Sequence, residues 1–207
     1  MPSKGLLLVL IFFSNFSIAQ IFKTNEYYVE LHKVASFQLI DFSGSLMPIN
    51  GTQPLQELTS QLDKYTPVIL LVSYSPGGFN VGFINMMKRL KNSGQRSVTM
   101  IINGPCLSSC TIWAALADKT YLVKETGSLH VHRTWIFTSD LTIYSPKTMA
   151  SKYGKWGANK KWFLSHLYVF NKKYQKFGYE LNLDESLESG LADKIIRIQD
   201  INHILRL

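Results

Sequence analysis

Cysteine is nearly absent from this 207-residue chain, which holds only Cys106 and Cys110. Two thiols cannot build the multi-bridge framework of a small secreted scaffold, and they do not match a four-ligand zinc pattern. Acid is also scarce: 14 Asp plus Glu stand against 22 Lys plus Arg, a formal net charge of +8. Charged residues make up only 17% of the chain and hydrophobic ones 46%, which excludes a disordered, highly solvated polymer. No apolar run reaches the roughly 20 residues that a transmembrane helix needs. Internal repeats and low-complexity linkers are missing too. The length fits one domain, large enough to bury a core without metal or disulfide staples.

The N-terminus carries a targeting pattern. Lys4 precedes the apolar run Leu6 to Phe13, and Ser17-Ile18-Ala19 supplies the small residues that a signal peptidase reads. Residues 1–19 are therefore expected to be a signal peptide and 20–207 a single domain, exported to the periplasm or secreted. Removing residues 1–19 takes away one Lys and leaves a formal charge of +7. ATP, NAD and CoA are scarce outside the cytoplasm, which argues against enzymes that depend on them.

Past that segment the pattern is that of an α/β domain. Two strands are predicted between Glu26 and Phe42, and an amphipathic helix over 54–65. The continuous apolar runs Pro67 to Val72 and Val98 to Ile102 predict strands covered on both faces in a parallel sheet. Each run ends in a glycine turn, Ser75-Pro76-Gly77-Gly78 and Asn103-Gly104-Pro105. A helix is predicted from Phe79 to Leu90 and a small-residue helix from Ser108 to Ala117, with strands near Tyr121–Val123 and Leu129–Val131. Strand–helix alternation of this kind builds parallel sheets with right-handed crossovers.

Residues 141–179 contain no acid and eight Lys (147, 152, 155, 160, 161, 172, 173 and 176). Met149, Tyr153, Trp156, Phe163, Leu167, Phe170, Tyr174 and Phe177 recur at steps of four and three, interrupted only at Lys160, the signature of one long helix with a single apolar face. Its Lys face, 147–176, is either a solvated surface or one that meets an anionic membrane or acidic partner. Nucleic acid is not an expected partner, because no motif for it occurs.

Ligands of open α/β sheets bind beyond the carboxyl ends of the strands, so both glycine turns should face one crevice. Gly77 and Gly78 free backbone N–H groups there, and Ser108 and Ser109 lie at a helix N-terminus among unpaired N–H groups. Each serine could equally be a helix cap. His130 and His132 could supply a general base; the expectation is that they point to opposite faces of their strand, one into the crevice and one structural. Cys106 and Cys110 straddle Ser108, and two readings stand: small buried residues at the helix start, or a disulfide.

Taken together, Leu70 to Gly78, Asn103 to Thr111, Leu129 to Arg133 and Leu187 to Ile195 resemble the Clp protease/crotonase superfamily, most closely its exported Clp-protease-like members. The resemblance covers roughly residues 35–198. It implies a Clp/crotonase-like α/β fold of repeated β-β-α units, with a mostly parallel sheet and a long C-terminal helix. It further implies a serine peptidase with Ser108 as nucleophile, His132 as base, and the Gly78 and Ser109 N–H groups as the oxyanion hole. Gly77 and Phe79 would bind an extended peptide or protein substrate along a strand edge. The third catalytic member departs from the family pattern: Glu180 is the nearest acid, and Asp184 is expected to cap the closing helix. A pseudo-protease that holds peptides in the same crevice is the alternative, and an acyl-CoA enzyme of the same fold is a third reading. No metal or cofactor is expected, and homo-oligomers are common in the superfamily.

Overall fold

The computed structural model describes residues 17–23, 27–34, 36–45, 61–78, 87, 97–133, 135–136 and 142–205. Its centre is a seven-stranded sheet in the order β1-β2-β3-β4-β5-β7-β12. The strands are β1 (Ser17–Lys23), β2 (Tyr27–Lys33), β3 (Gln38–Gly44), β4 (Val68–Tyr74), β5 (Val98–Ile102), β7 (Lys119–Val123) and β12 (Lys194–Ile196). From β3 to β12 every pairing is parallel, and β1 and β2 add an antiparallel edge. The mostly parallel α/β sheet expected from the apolar runs is therefore present.

Both faces of that sheet are covered. Val68, Leu70 and Val72 of β4 point into a large core with Trp113 and Phe42, while Ile69 joins Phe37, Leu39, Ile101 and Ile201 on the opposite face. A strand with two buried faces has no polar positions to alternate, which is why β4 and β5 read as continuous apolar runs. The large core is roofed by α1 (Ser109–Leu116), α2 (Pro146–Trp156) and α3 (Lys160–Ser165), and the other face by α5 (Ile198–Ile204). Among the described residues no helix is long and apolar enough to cross a membrane.

A second sheet, β11-β8-β6, stands beyond the ends of β4 and β5 and frames the crevice. It consists of β6 (Pro105–Leu107), β8 (Ser128–Val131) and β11 (Tyr179–Leu181). β5, β6 and α1 form one β-β-α unit. β7 and β8 lead through a short ribbon, β9 (Trp135–Ile136) and β10 (Thr142–Ile143), to α2 and form another. The chain closes through α4 (Leu183–Glu188) and β12.

Three expectations need correction. The single long helix over 147–176 is instead α2, α3 and two 3₁₀ turns, Leu167–Phe170 and Lys172–Tyr174. Gly157 ends α2 at φ 120, where an added Cβ would lie 2.4 Å from the Ala115 carbonyl oxygen. Asn159 then caps α3 by accepting from the Trp162 N–H, and Asn171 caps the second 3₁₀ turn. The apolar stripe still converges, because Tyr153 stacks on Phe163 and Phe170, but Phe177 is left 63% exposed. Second, the cap of α4 is Asn182 in a reciprocal capping box with Glu185; Asp184 lies in the first turn. Third, His130 and His132 are two residues apart, and a strand's period of two puts such residues on one face. Leu129 and Val131 are accordingly buried, while both histidines are half-exposed. Of the helix predicted over 54–65 only residues 61–65 are described, and there the helix ends at Gln61, with 62–65 in bends and loop. Of the helix predicted over 79–90 only Met87 is described, and Phe79 and residues 1–16 lie outside the described residues.

Candidate functional site

β4 delivers its glycine turn directly against β6. The Ser75 N–H donates to the Pro105 carbonyl at 2.7 Å, and the Leu107 N–H donates back to the Ser75 carbonyl at 2.9 Å. This pairing presses Gly77 onto the start of α1. A Cβ on Gly77 would sit 2.4 Å from the Leu107 carbonyl oxygen, 2.6 Å from Ser108 Cβ and 3.1 Å from Ser109 N. Gly77 (φ 78) and Gly78 (φ 144) both occupy conformations open chiefly to glycine. The Ser109 hydroxyl donates to the Gly78 carbonyl, tying the turn to the helix.

Ser108 is the sharp corner between β6 and α1. Its φ of 57 and ψ of −120 make it the one non-glycine residue of positive φ among the described residues. Such a conformation costs on the order of 1–3 kcal/mol and persists only where the surroundings enforce it. Four attachments do so here. The Ser108 N–H donates to the His130 carbonyl at 3.0 Å. The Ser108 carbonyl accepts from Thr111 N at 3.0 Å and from Thr111 Oγ1 at 2.6 Å. Thr111 Oγ1 also bonds the hydroxyl of the fully buried Tyr153 at 2.6 Å. A Cys106–Cys110 disulfide, with Cα atoms 5.3 Å apart, closes the corner from both sides. Cys106 lies in β6 and Cys110 in α1, so of the two readings of the thiols the structure takes the bonded one.

A trans peptide is planar, with its C=O and N–H directed oppositely. Holding the Ser108 carbonyl toward Thr111 and Tyr153 therefore aims the Ser109 N–H the other way, toward the glycine turn. Neither the Gly78 N–H nor the Ser109 N–H has an acceptor among the described residues. Ser109 is the first residue of α1, where an N–H has no intrahelical partner and the dipole is positive. The arrangement can bind and polarise an oxygen that carries developing negative charge.

The histidines divide by environment. The His130 ring is engaged by the Phe177 carbonyl and, at Nε2, by Ser128 Oγ at 2.9 Å. Glu180, its cross-strand partner on β11, comes within 4.0 Å of Nε2. His132 Nδ1 lies 2.7 Å from the Arg133 carbonyl. A carbonyl only accepts, so Nδ1 carries the proton and Nε2 keeps a free lone pair. Burial pushes both imidazoles below their ordinary pKa, opposed at His130 by Glu180 and at His132 by the Arg133 carbonyl.

The residues expected to form a catalytic triad are thus only partly brought together. No hydrogen bond joins Ser108 Oγ to either imidazole among the described residues. Glu180 faces His130 rather than His132. The Thr111–Tyr153 tie escaped sequence reasoning: the partners are 42 residues apart, and Tyr153 reads only as one member of an apolar stripe.

The molecule has the Clp protease/crotonase fold. It is similar to an enoyl-CoA isomerase from Mycobacterium tuberculosis (TM-score 0.59, 13% identity, 86% of this chain and 80% of that one). It is similar also to enoyl-CoA hydratases from Thermoplasma volcanium (TM-score 0.58, 14% identity, 86% and 75%) and Mycobacterium marinum (TM-score 0.57, 14% identity, 86% and 81%). No family model and no curated protein matches the sequence. These likenesses correct the expectation of a serine peptidase or other hydrolase: the neighbours are hydratases and isomerases of enoyl-CoA, not serine peptidases. The peptide-holding pseudo-protease is set aside with it.

Proposed function

We propose that the crevice binds an acyl thioester and polarises its carbonyl between the N–H groups of Gly78 and Ser109, in a hydratase- or isomerase-like reaction. The observation that carries this reading is the close approach of a glycine turn to a helix N-terminus, whose Gly78 and Ser109 N–H groups have no acceptor among the described residues. A carbonyl held there places negative charge on its oxygen, which acidifies the adjacent C–H and renders a conjugated double bond electrophilic. His132 Nε2, on an imidazole that burial keeps neutral near pH 7 and with no partner among the described residues, is the group suited to accept a proton from the bound acyl chain. The enoyl-CoA chemistry of the structural neighbours supports the substrate class.

The test uses crotonyl-CoA and the full chain. Calorimetry should detect binding, and α-proton exchange in heavy water should accompany it. His132→Gln should keep the binding and lose the exchange, whereas Gly77→Ala should weaken binding at least about tenfold, or ~1.4 kcal/mol. Absence of binding to any acyl thioester would overturn the reading. Export of the chain after residue 19 is a competing proposal, because CoA is scarce outside the cytoplasm; N-terminal sequencing of protein from fractionated cells decides it. A mature chain starting at Gln20 keeps Gln20–Lys23 to pair with β2.

A further inference from the structure

We infer that residues 171–177 form a membrane-contact knob for anionic lipid surfaces. The chain there makes a 3₁₀ turn over Lys172–Tyr174, continues through a tight turn and leaves at Gly178, whose φ is 81. The Gly178 N–H closes the knob by donating to the Tyr174 carbonyl at 2.7 Å, and Asn171 Oδ1 caps the turn through Lys173 N at 3.2 Å. Within these few residues Lys172, Lys173, Lys176 and Phe177 are all exposed, and Phe177 is the most exposed large apolar residue of the described chain, at 63%. The Lys173 and Lys176 ammonium groups lie over the rings of Tyr174 and Phe177, 4.6 and 4.9 Å from the centroids.

The knob is built on a rigid base. Tyr174 packs edge-on against Tyr179, and Tyr179 against Tyr168, with centroids 5.0 and 5.4 Å apart. The acids around the base are turned to other partners: Glu185 accepts from the Tyr168 and Tyr179 hydroxyls, and Glu180 sits beside His130. The tip therefore presents three cations and one aromatic ring with no carboxylate in its own segment. An acidic protein would match the cations but offers no apolar layer for the ring. A bilayer of anionic lipid offers both, since Lys near its surface gains from the negative potential while an aromatic ring enters the interface.

Co-sedimentation of the full chain with vesicles tests this. Binding is expected to phosphatidylcholine vesicles that contain phosphatidylglycerol, and not to pure phosphatidylcholine. Lys172→Glu/Lys173→Glu/Lys176→Glu should lower the partition coefficient at least about tenfold. Lys33→Glu/Lys124→Glu/Lys194→Glu, an equal charge change on exposed Lys elsewhere, should lower it far less. Phe177→Ser should weaken binding without altering its salt dependence, because the ring carries no charge. Equal loss in both triple variants would assign the attraction to net charge and overturn the knob. Equal binding to neutral and anionic vesicles would overturn it as well. Binding to polyglutamate without binding to anionic vesicles would assign an acidic protein instead.

Discussion

Gly77→Ala is the most direct perturbation of the proposed site. An L residue at φ 78 costs about 1–2 kcal/mol in the left-handed region. The new methyl would also lie 2.4 Å from the Leu107 carbonyl oxygen and 2.6 Å from Ser108 Cβ. The carbonyl is backbone and cannot rotate aside, so the glycine turn must move away from α1, adding about 1–3 kcal/mol of overpacking. Together the loss is about 2–5 kcal/mol. Gly190→Ala is the control, because its φ is 69 but the closest atom to an added Cβ is Asn159 N at 3.1 Å. It should lose chiefly the conformational part, about 1–2 kcal/mol. Urea unfolding followed by tryptophan fluorescence measures both, since Trp113 is fully buried against Phe42. The reasoning fails if Gly77→Ala costs no more than Gly190→Ala, or if it leaves crotonyl-CoA affinity unchanged.

Other perturbations probe the supports of the same corner. Tyr153→Phe removes one hydroxyl from the Thr111 tie; it should cost about 1 kcal/mol in urea unfolding and shift the Ser109 amide resonance in NMR spectra. Cys106→Ala/Cys110→Ala opens a loop of sequence separation 4, for which chain entropy gives about 2 kcal/mol; reductant should lower the wild-type urea midpoint and leave the double variant unmoved. His130 and His132 titrate below 6.5 in the folded chain because burial disfavours the cation. The unfolded chain then binds more protons just below 6.5, so stability is full above that pH and falls as the pH drops through the window. His130→Gln should flatten the fall in urea midpoints measured across it, and an unchanged slope would refute the assignment.

The sequence alone was enough to read the parallel sheet, its two covered faces and the two glycine turns at its carboxyl edge. Those features come from local periodicity and from backbone freedom at single positions, which are properties of neighbouring residues. The expectation that His130 and His132 point to opposite faces was wrong on the sequence's own terms, since the period of a strand is two. Where chain direction was concerned, periodicity misled: the stripe from Met149 to Phe177 reads as one helix, yet Gly157 and the Asn159 cap break it while Tyr153, Phe163 and Phe170 still meet in the core. Only the tertiary structure decided which donors and acceptors pair. Glu180 meets His130 across two strands, Tyr153 reaches Thr111 from 42 residues away, and Asn182 rather than Asp184 caps its helix. Such pairings depend on packing between segments far apart in the chain, which no local pattern encodes. They also determine where the Ser109 N–H points, and so what the crevice can polarise.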